Sequence, residues 1–187
     1  MEIERKFIVP GDEAAEFSKE GNPNIIIQYY TELSPNSEKR RRMIITQESI
    51  NCYETVKTGT GLVRQEEEYP ITTEEFNSLL LHGSTQPQKK KNAKRMGSVI
   101  KKFRTKIEKD AYIFELDFYG NPTIFYPDGR LASVVEIEFE SEESAKNFDM
   151  SKYFREFIDV TEDPTYKNKN LATEAFSIRP RKIKKQL

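Results

Sequence analysis

Met1-Glu2-Ile3-Glu4-Arg5-Lys6-Phe7-Ile8-Val9 opens the chain, and its alternation decides how the rest is read. With the two-residue period of a β-strand, Ile3, Phe7 and Val9 fall on one face, and Glu2, Glu4 and Lys6 on the other. The same segregation recurs downstream. Arg40 and Arg42 share a face, as do Arg64, Glu66 and Glu68, then Lys102, Arg104, Lys106 and Glu108. Glu115 pairs in this way with Asp117, and Glu136 with Glu138 and Glu140. Positions between them are often apolar: Phe103 and Ile107, Phe114, Leu116 and Phe118, Val135, Ile137 and Phe139.

Two arrangements fit such strands. The charged faces look out to water around an ordinary core, as in many antiparallel sheets. Otherwise the sheet closes with its charges inside and helices covering its apolar side. These faces set like charges side by side, which solvent does not require. Confined together, they would repel unless something bound between them. A divalent cation would satisfy the carboxylates, and a polyphosphate the guanidinium and ammonium groups.

Composition narrows the field. A chain of 187 residues is economically one domain with room for a core. Twelve Phe and nine Tyr in a chain that is 36% hydrophobic exclude a disordered composition. A formal net charge of -1 argues against a dedicated nucleic-acid binder. Cys52 is the sole cysteine, so it forms no intrachain disulfide and reads as a small buried hydrophobe. With His82 as the sole histidine, a histidine-rich metal site is excluded, and any metal must be held by oxygen, which favours magnesium or manganese over zinc. No apolar run reaches the length of a membrane helix and no secretory signal is visible, so the cytoplasm is the expected compartment. A homodimer is left open.

Turn and cap residues divide the chain. Pro10-Gly11 ends the first strand, and the pattern predicts a helix over 12–20 capped by Asp12. Further strands are expected at 25–33, from Lys39 onward, and at 51–57, 62–69, 99–109, 112–119 and 135–139. Helices are expected from the Thr72-x-x-Glu75 capping box to about Leu81, and after Ser141. Thr58-Gly59-Thr60-Gly61 lacks the lysine and helix of a phosphate-binding P-loop and reads as a hairpin connection. The stretch 84–97, with the lysine-rich run around 88–95, reads as a surface loop, since no aromatics interleave its lysines for base stacking. One domain is placed at 1–176, followed by a basic tail at 177–187.

Taken in order, these residues resemble the motif series of a known family. Glu2-x-Glu4-x-Lys6, Gln28-Tyr29-Tyr30, Arg40-x-Arg42, the strand-ending Lys57, Arg64-x-Glu66-x-Glu68 and Lys102-x-Arg104 come first. Glu115-x-Asp117-x-Tyr119-Gly120, the paired Glu136 and Glu138, Asp159-Val160-Thr161 and Tyr166-x-Asn168-x-x-Leu171-Ala172 complete the series. It is similar to that of the CYTH superfamily, the triphosphate tunnel metalloenzymes, which includes inorganic triphosphatases, thiamine triphosphatases and class IV adenylate cyclases. Asp159 stands where glutamate is usual, and Tyr29 where glycine is common.

The resemblance implies an α+β fold: a closed, eight-stranded antiparallel barrel with a charged interior, helices packed outside, and a triphosphate threaded through the tunnel. It implies that Lys6, Arg40, Arg42, Lys57, Arg64, Lys102 and Arg104 neutralise the substrate, and that Lys167 plugs the tunnel near its terminal phosphate. Glu136 and Glu138, with Glu4, would hold Mg2+ or Mn2+. Glu2 and Glu4 would place a second metal or the attacking water, assisted by Asp117 and Glu115. Glu2, Glu4 and Lys6 are therefore the catalytic candidates. Glu66 and Glu68 are expected to pair with neighbouring arginines, and Tyr29, Tyr30 and Tyr53 are available to stack on a base at the mouth. The implied reaction is metal-dependent hydrolysis of a triphosphate, inorganic tripolyphosphate first. A class IV adenylate cyclase, a thiamine triphosphatase and a non-catalytic polyphosphate- or nucleotide-binding module are the alternatives.

Overall fold

The computed structural model describes residues 3–33, 37–58, 65–83, 99–172 and 177–178. Glu2, Arg64, the lysine-rich loop and residues 179–187 of the tail lie outside them. In chain order the elements are β1 (Ile3–Pro10), α1 (Gly11–Phe17), β2 (Asn24–Leu33), β3 (Ser37–Ile45), β4 (Ile50–Thr58), β5 (Gln65–Ile71) and α2 (Thr73–Gly83). There follow β6 (Ile100–Lys109), β7 (Tyr112–Asn121), β8 (Thr123–Ile124), β9 (Ala132–Phe139), α3 (Glu142–Asn147), β10 (Ile158–Asp159), α4 (Asn168–Leu171) and β11 (Ser177–Ile178).

Nine strands make one sheet in the order β10-β1-β9-β7-β6-β2-β3-β4-β5, and every pairing in it is antiparallel. The first two residues of the expected tail, Ser177 and Ile178, pair in parallel with β8. Local chemistry explains several turns. Asp110 and Ala111 join β6 to β7 with positive φ at both positions (51° and 65°), as a tight two-residue hairpin requires. The capping box before α2 forms in full: Glu75 N donates to Thr72 Oγ1 at 3.1 Å, and Thr72 N to Glu75 Oε2 at 2.7 Å. At α1 the expectation is corrected, because Pro10 occupies the N-cap and no side chain caps the helix. Asp12 and Glu13 instead lie in its first turn, where carboxylates complement the helix dipole.

The sheet departs from the expected closed barrel of eight strands: it has nine and stays open, with β5 and β10 at its ends. The cause is visible at β1. Its outer edge is already occupied, since Phe7 and Ile8 pair with Asp159 and Ile158. Val160 N also donates to Lys6 O at 2.9 Å, and Lys6 N donates to Thr161 Oγ1 at 3.0 Å. With those groups spent, β1 offers β5 no edge to join over Lys6 to Ile8. β5 carries Glu66, Glu67 and Glu68, charges of the kind that blunt an open edge against further pairing.

The two faces of this sheet differ in kind. On the convex side Phe7, Val9, Phe114, Leu116, Val135, Ile137 and Phe139 pack under Ala14 of α1, Ala145 of α3 and the aromatic segment Phe148 to Phe154. Each buried phenylalanine there contributes about 1.5–3 kcal/mol relative to exposure. Farther along, Tyr29, Met43 and Cys52 pack under Phe76 of α2. The concave side is charged along most of its length. One end of it is apolar, where Ile8, Tyr30, Ile100, Tyr119 and Val134 meet Tyr166, Leu171 and Ala172. No helix among the described residues is long and apolar enough to cross a membrane.

Candidate active site

Strand register brings the alternating charges together. Glu4 lies opposite Glu138 and Lys6 opposite Glu136. Glu115 faces Glu136, and Arg104 faces Asp117. On the other wall Gln28 lies opposite Arg42, Arg40 opposite Thr55, and Thr55 and Lys57 opposite Glu68 and Glu66. Except for Asp117 and Thr55, which are buried behind them, these side chains line a trough of about 840 Å³, which Lys167, Asn168 and Lys169 also border. That volume is in the range of small-molecule sites.

A buried ionic network forms one wall. Lys6 Nζ lies 2.8 Å from Glu136 Oε1 and 3.8 Å from Glu4 Oε1. Arg104 Nη2 reaches Glu136 Oε2 at 2.8 Å, and its Nη1 pairs with Glu115. Arg104 also grips Asp117 as a fork, through Nε to Oδ1 at 2.6 Å and Nη2 to Oδ2. Lys102 Nζ donates to Asp117 Oδ2 at 2.5 Å and sits 3.4 Å from the Tyr119 hydroxyl. Tyr119 Oη in turn donates to Asn168 Oδ1 at 2.7 Å, tying this wall to α4.

Burial sets the proton affinities. It pushes the Lys6 ammonium down, but the carboxylates of Glu136 and Glu4 outweigh it and hold Lys6 above the usual lysine range. For Lys102 burial wins: although Asp117 offsets part of it, Arg104 adds to the fall. Burial also opposes ionised Glu136, yet Lys102, Lys6 and Arg104 hold its carboxyl well below the usual range. Lys6 and Glu136 are thereby held charged together in this wall.

The opposite wall is less satisfied. Arg42 Nη2 pairs with Glu68 at 2.9 Å and Lys57 with Glu66 at 2.6 Å. Arg40 reaches two hydroxyls, Thr55 Oγ1 at 3.4 Å and that of Tyr30, with no carboxylate in ion-pair range among the described residues. Three N–H groups of this wall are buried without a hydrogen-bond partner among the described residues: Gln28 Nε2, Arg40 Nε and Arg42 Nε. Buried donors are seldom left so. Burial, then the charges of Arg40 and Arg104, lower the affinity of Arg42 for its proton.

Among the described residues, no three Asp, Glu, His or Cys side chains converge as ligands of one ion. Glu136 and Asp117 are each saturated by cations. Glu4 and Glu138 are directly opposite on neighbouring strands, both bordering the trough. Like charges so placed repel. A magnesium-type cation relieves that, because it takes one or two carboxylates, keeps waters and draws its remaining ligands from substrate phosphates. Glu4 and Glu138 are the residues that would hold such an ion.

Of the sequence-derived candidates, Glu4, Lys6, Arg40, Arg42, Lys57, Lys102, Arg104, Lys167, Glu136 and Glu138 all border the trough. Asp117 lies beneath its wall at 0% exposure, among cations. Glu2 and Arg64 are outside the described residues. Tyr29 is corrected: it is buried on the convex face, its hydroxyl donating to Phe76 O, and is unavailable at the mouth. Glu38 and Lys169, 3.7 Å apart, were missed, although Glu38 shares the alternation of Arg40 and Arg42.

An antiparallel sheet curved about an ionic trough, its apolar side under helices, defines the class of protein. The chain is 32% identical over 177 residues to the inorganic triphosphatase of Nitrosomonas europaea, covering 91% of this chain and 96% of that protein. Its fold matches the crystal structure of the hypothetical protein NE1496 with a TM-score of 0.59 and 29% identity, over 93% of this chain and 99% of that one. The PH1012 protein of Pyrococcus horikoshii shares the fold, with a TM-score of 0.53 and 19% identity over 82% and 89% of the two chains. No family model matches the sequence. The chain belongs to the CYTH superfamily, the triphosphate tunnel metalloenzymes, in its inorganic triphosphatase-like branch.

Proposed function

We propose that the chain is a metal-dependent triphosphatase whose preferred substrate is inorganic tripolyphosphate. The observation that carries this reading is the pair of buried arginine N–H groups, Arg40 Nε and Arg42 Nε, left without partners among the described residues on a wall of the trough. Guanidinium forks suit phosphate oxygens, and an anion entering there satisfies both. Membership beside an inorganic triphosphatase supports the same substrate class. Tyr29 is withdrawn into the core, which takes one of three candidate aromatics away from a nucleoside base.

Phosphoryl transfer to water needs positioning and charge stabilisation more than covalent chemistry. Arg40, Arg42, Lys57 and Lys167 bind the phosphate chain. Lys6 and Arg104, held by Glu136, present fixed positive charge to the reacting phosphoryl group. Glu4, its side chain 48% exposed, orients the attacking water and accepts its proton. The water oxygen bonds to the terminal phosphorus as the bond to the bridging oxygen breaks, releasing orthophosphate and diphosphate. Glu4 and Glu138 would hold a Mg2+ or Mn2+, which would supply further charge neutralisation to the phosphates. Glu2 and Arg64 extend the same alternation and are proposed to join these groups.

Turnover of purified protein on tripolyphosphate, ATP and thiamine triphosphate, with magnesium or manganese, tests the proposal. Fastest phosphate release from tripolyphosphate is expected. Cyclic AMP as the main product from ATP would overturn it in favour of a cyclase. Tight tripolyphosphate binding with no phosphate release under either metal would make the chain a binding module.

A further inference from the structure

Gln28 is the one neutral side chain among the three unpartnered donors. It is 1% exposed, borders the trough, and keeps its carboxamide Nε2 without a partner among the described residues. Its position explains why a neutral group stands there. Arg42 lies directly across on β3. On the other side β6 sets Ile100 opposite it, with Lys102 at the next position on the same face. A lysine or arginine at 28 would crowd those cations. A glutamate would pair with them and remove them from an incoming anion. An amide adds an N–H to the wall without adding a charge beside either cation.

Leaving a buried donor unpaired lowers the stability of the free protein. We propose that Gln28 is a substrate-binding residue that donates its Nε2–H to a non-bridging oxygen of the bound polyphosphate, completing a cradle with Arg40 and Arg42. This rests on the triphosphate reading of the trough and assigns one further contact within it.

Binding of tripolyphosphate by calorimetry, with divalent metal chelated so that no turnover intrudes, tests the assignment in wild type, Gln28→Met, Gln28→Glu and Arg42→Ala. A hydrogen bond to a charged oxygen is lost in Gln28→Met, so its affinity is expected to fall about tenfold. Its ligand-free melting temperature should equal or exceed that of wild type, because an unpaired buried amide is gone. Gln28→Glu should bind at least about a hundredfold more weakly, through repulsion of the anion and capture of Arg42. A Gln28→Met protein that binds as wild type while Arg42→Ala does not would overturn the role of Gln28 and leave the trough reading standing. A Gln28→Met protein that loses affinity together with a lowered melting temperature would also overturn it, marking Gln28 as structural. Absence of binding by wild type itself would remove the triphosphate reading and this assignment with it.

Discussion

Replacing Asp117 by Asn tests the ionic wall where it is most deeply buried. Asp117 is 0% exposed and receives Lys102 Nζ at 2.5 Å and Arg104 Nε at 2.6 Å, besides Arg104 Nη2. Asn keeps the shape and removes the charge. Lys102, 2% exposed and already held below the usual lysine range by burial, then loses its principal counter-ion. Removing one partner of a buried pair costs about 3–5 kcal/mol, a large share of the roughly 5–15 kcal/mol that holds a typical domain together. For a chain of this length each kcal/mol lowers the melting temperature by about 2–4 °C, so a fall of about 6–20 °C is expected. Urea and thermal unfolding in chelator give both quantities. Lys102→Met in the Asp117→Asn background should recover at least about 0.5 kcal/mol beyond additivity, since it removes the stranded buried amine. A loss below about 1 kcal/mol for Asp117→Asn would refute the reasoning. So would a gain in stability, which is what relief of repulsion at an empty metal site would give.

Three further outcomes follow from the same geometry. Glu4→Gln should lower tripolyphosphate turnover by at least about a hundredfold, the low end for a lost acid–base group, with the melting temperature retained; unchanged turnover would take Glu4 out of the mechanism. Glu136 has a folded proton affinity below its unfolded value of 4.5, so its stabilisation is complete above that pH and fades as pH falls through the folded value. The melting-temperature deficit of Glu136→Gln should therefore be largest near neutrality and shrink below pH 4.5, and a deficit constant with pH would contradict this. Thr72→Ala should cost about 1 kcal/mol in urea unfolding by removing the cap of α2, and a neutral effect would show that the cap contributes nothing.

The concave and convex faces were legible in the sequence because a strand's side chains alternate wherever no bulge interrupts the run. Lys6, Arg42, Arg104 and Glu136 share a side for that reason, and Phe7, Phe114 and Ile137 share the other. The same rule, applied to Gln28-Tyr29-Tyr30, already forbids Tyr29 from facing the trough with its neighbours. Closure was not legible. It depends on which segment reaches the edge of β1, and the two-residue β10 that does so is too short to carry a period. Alternation also names a face without naming partners. It could not separate Glu4 and Glu138, set opposite one another, from Asp117, which is claimed by two cations. The apolar end at Ile8 was masked because Ile8 continues a charged face with a residue that packs against Tyr166 and Leu171, distant in sequence.

The most direct test is a crystal structure of the protein with tripolyphosphate, in chelator or with the catalytically impaired Glu4→Gln. The account expects the phosphate chain on the concave face, within hydrogen-bond distance of Arg40 and Arg42. Phosphates bound on the convex side or elsewhere on the surface, with the trough unchanged, would contradict it.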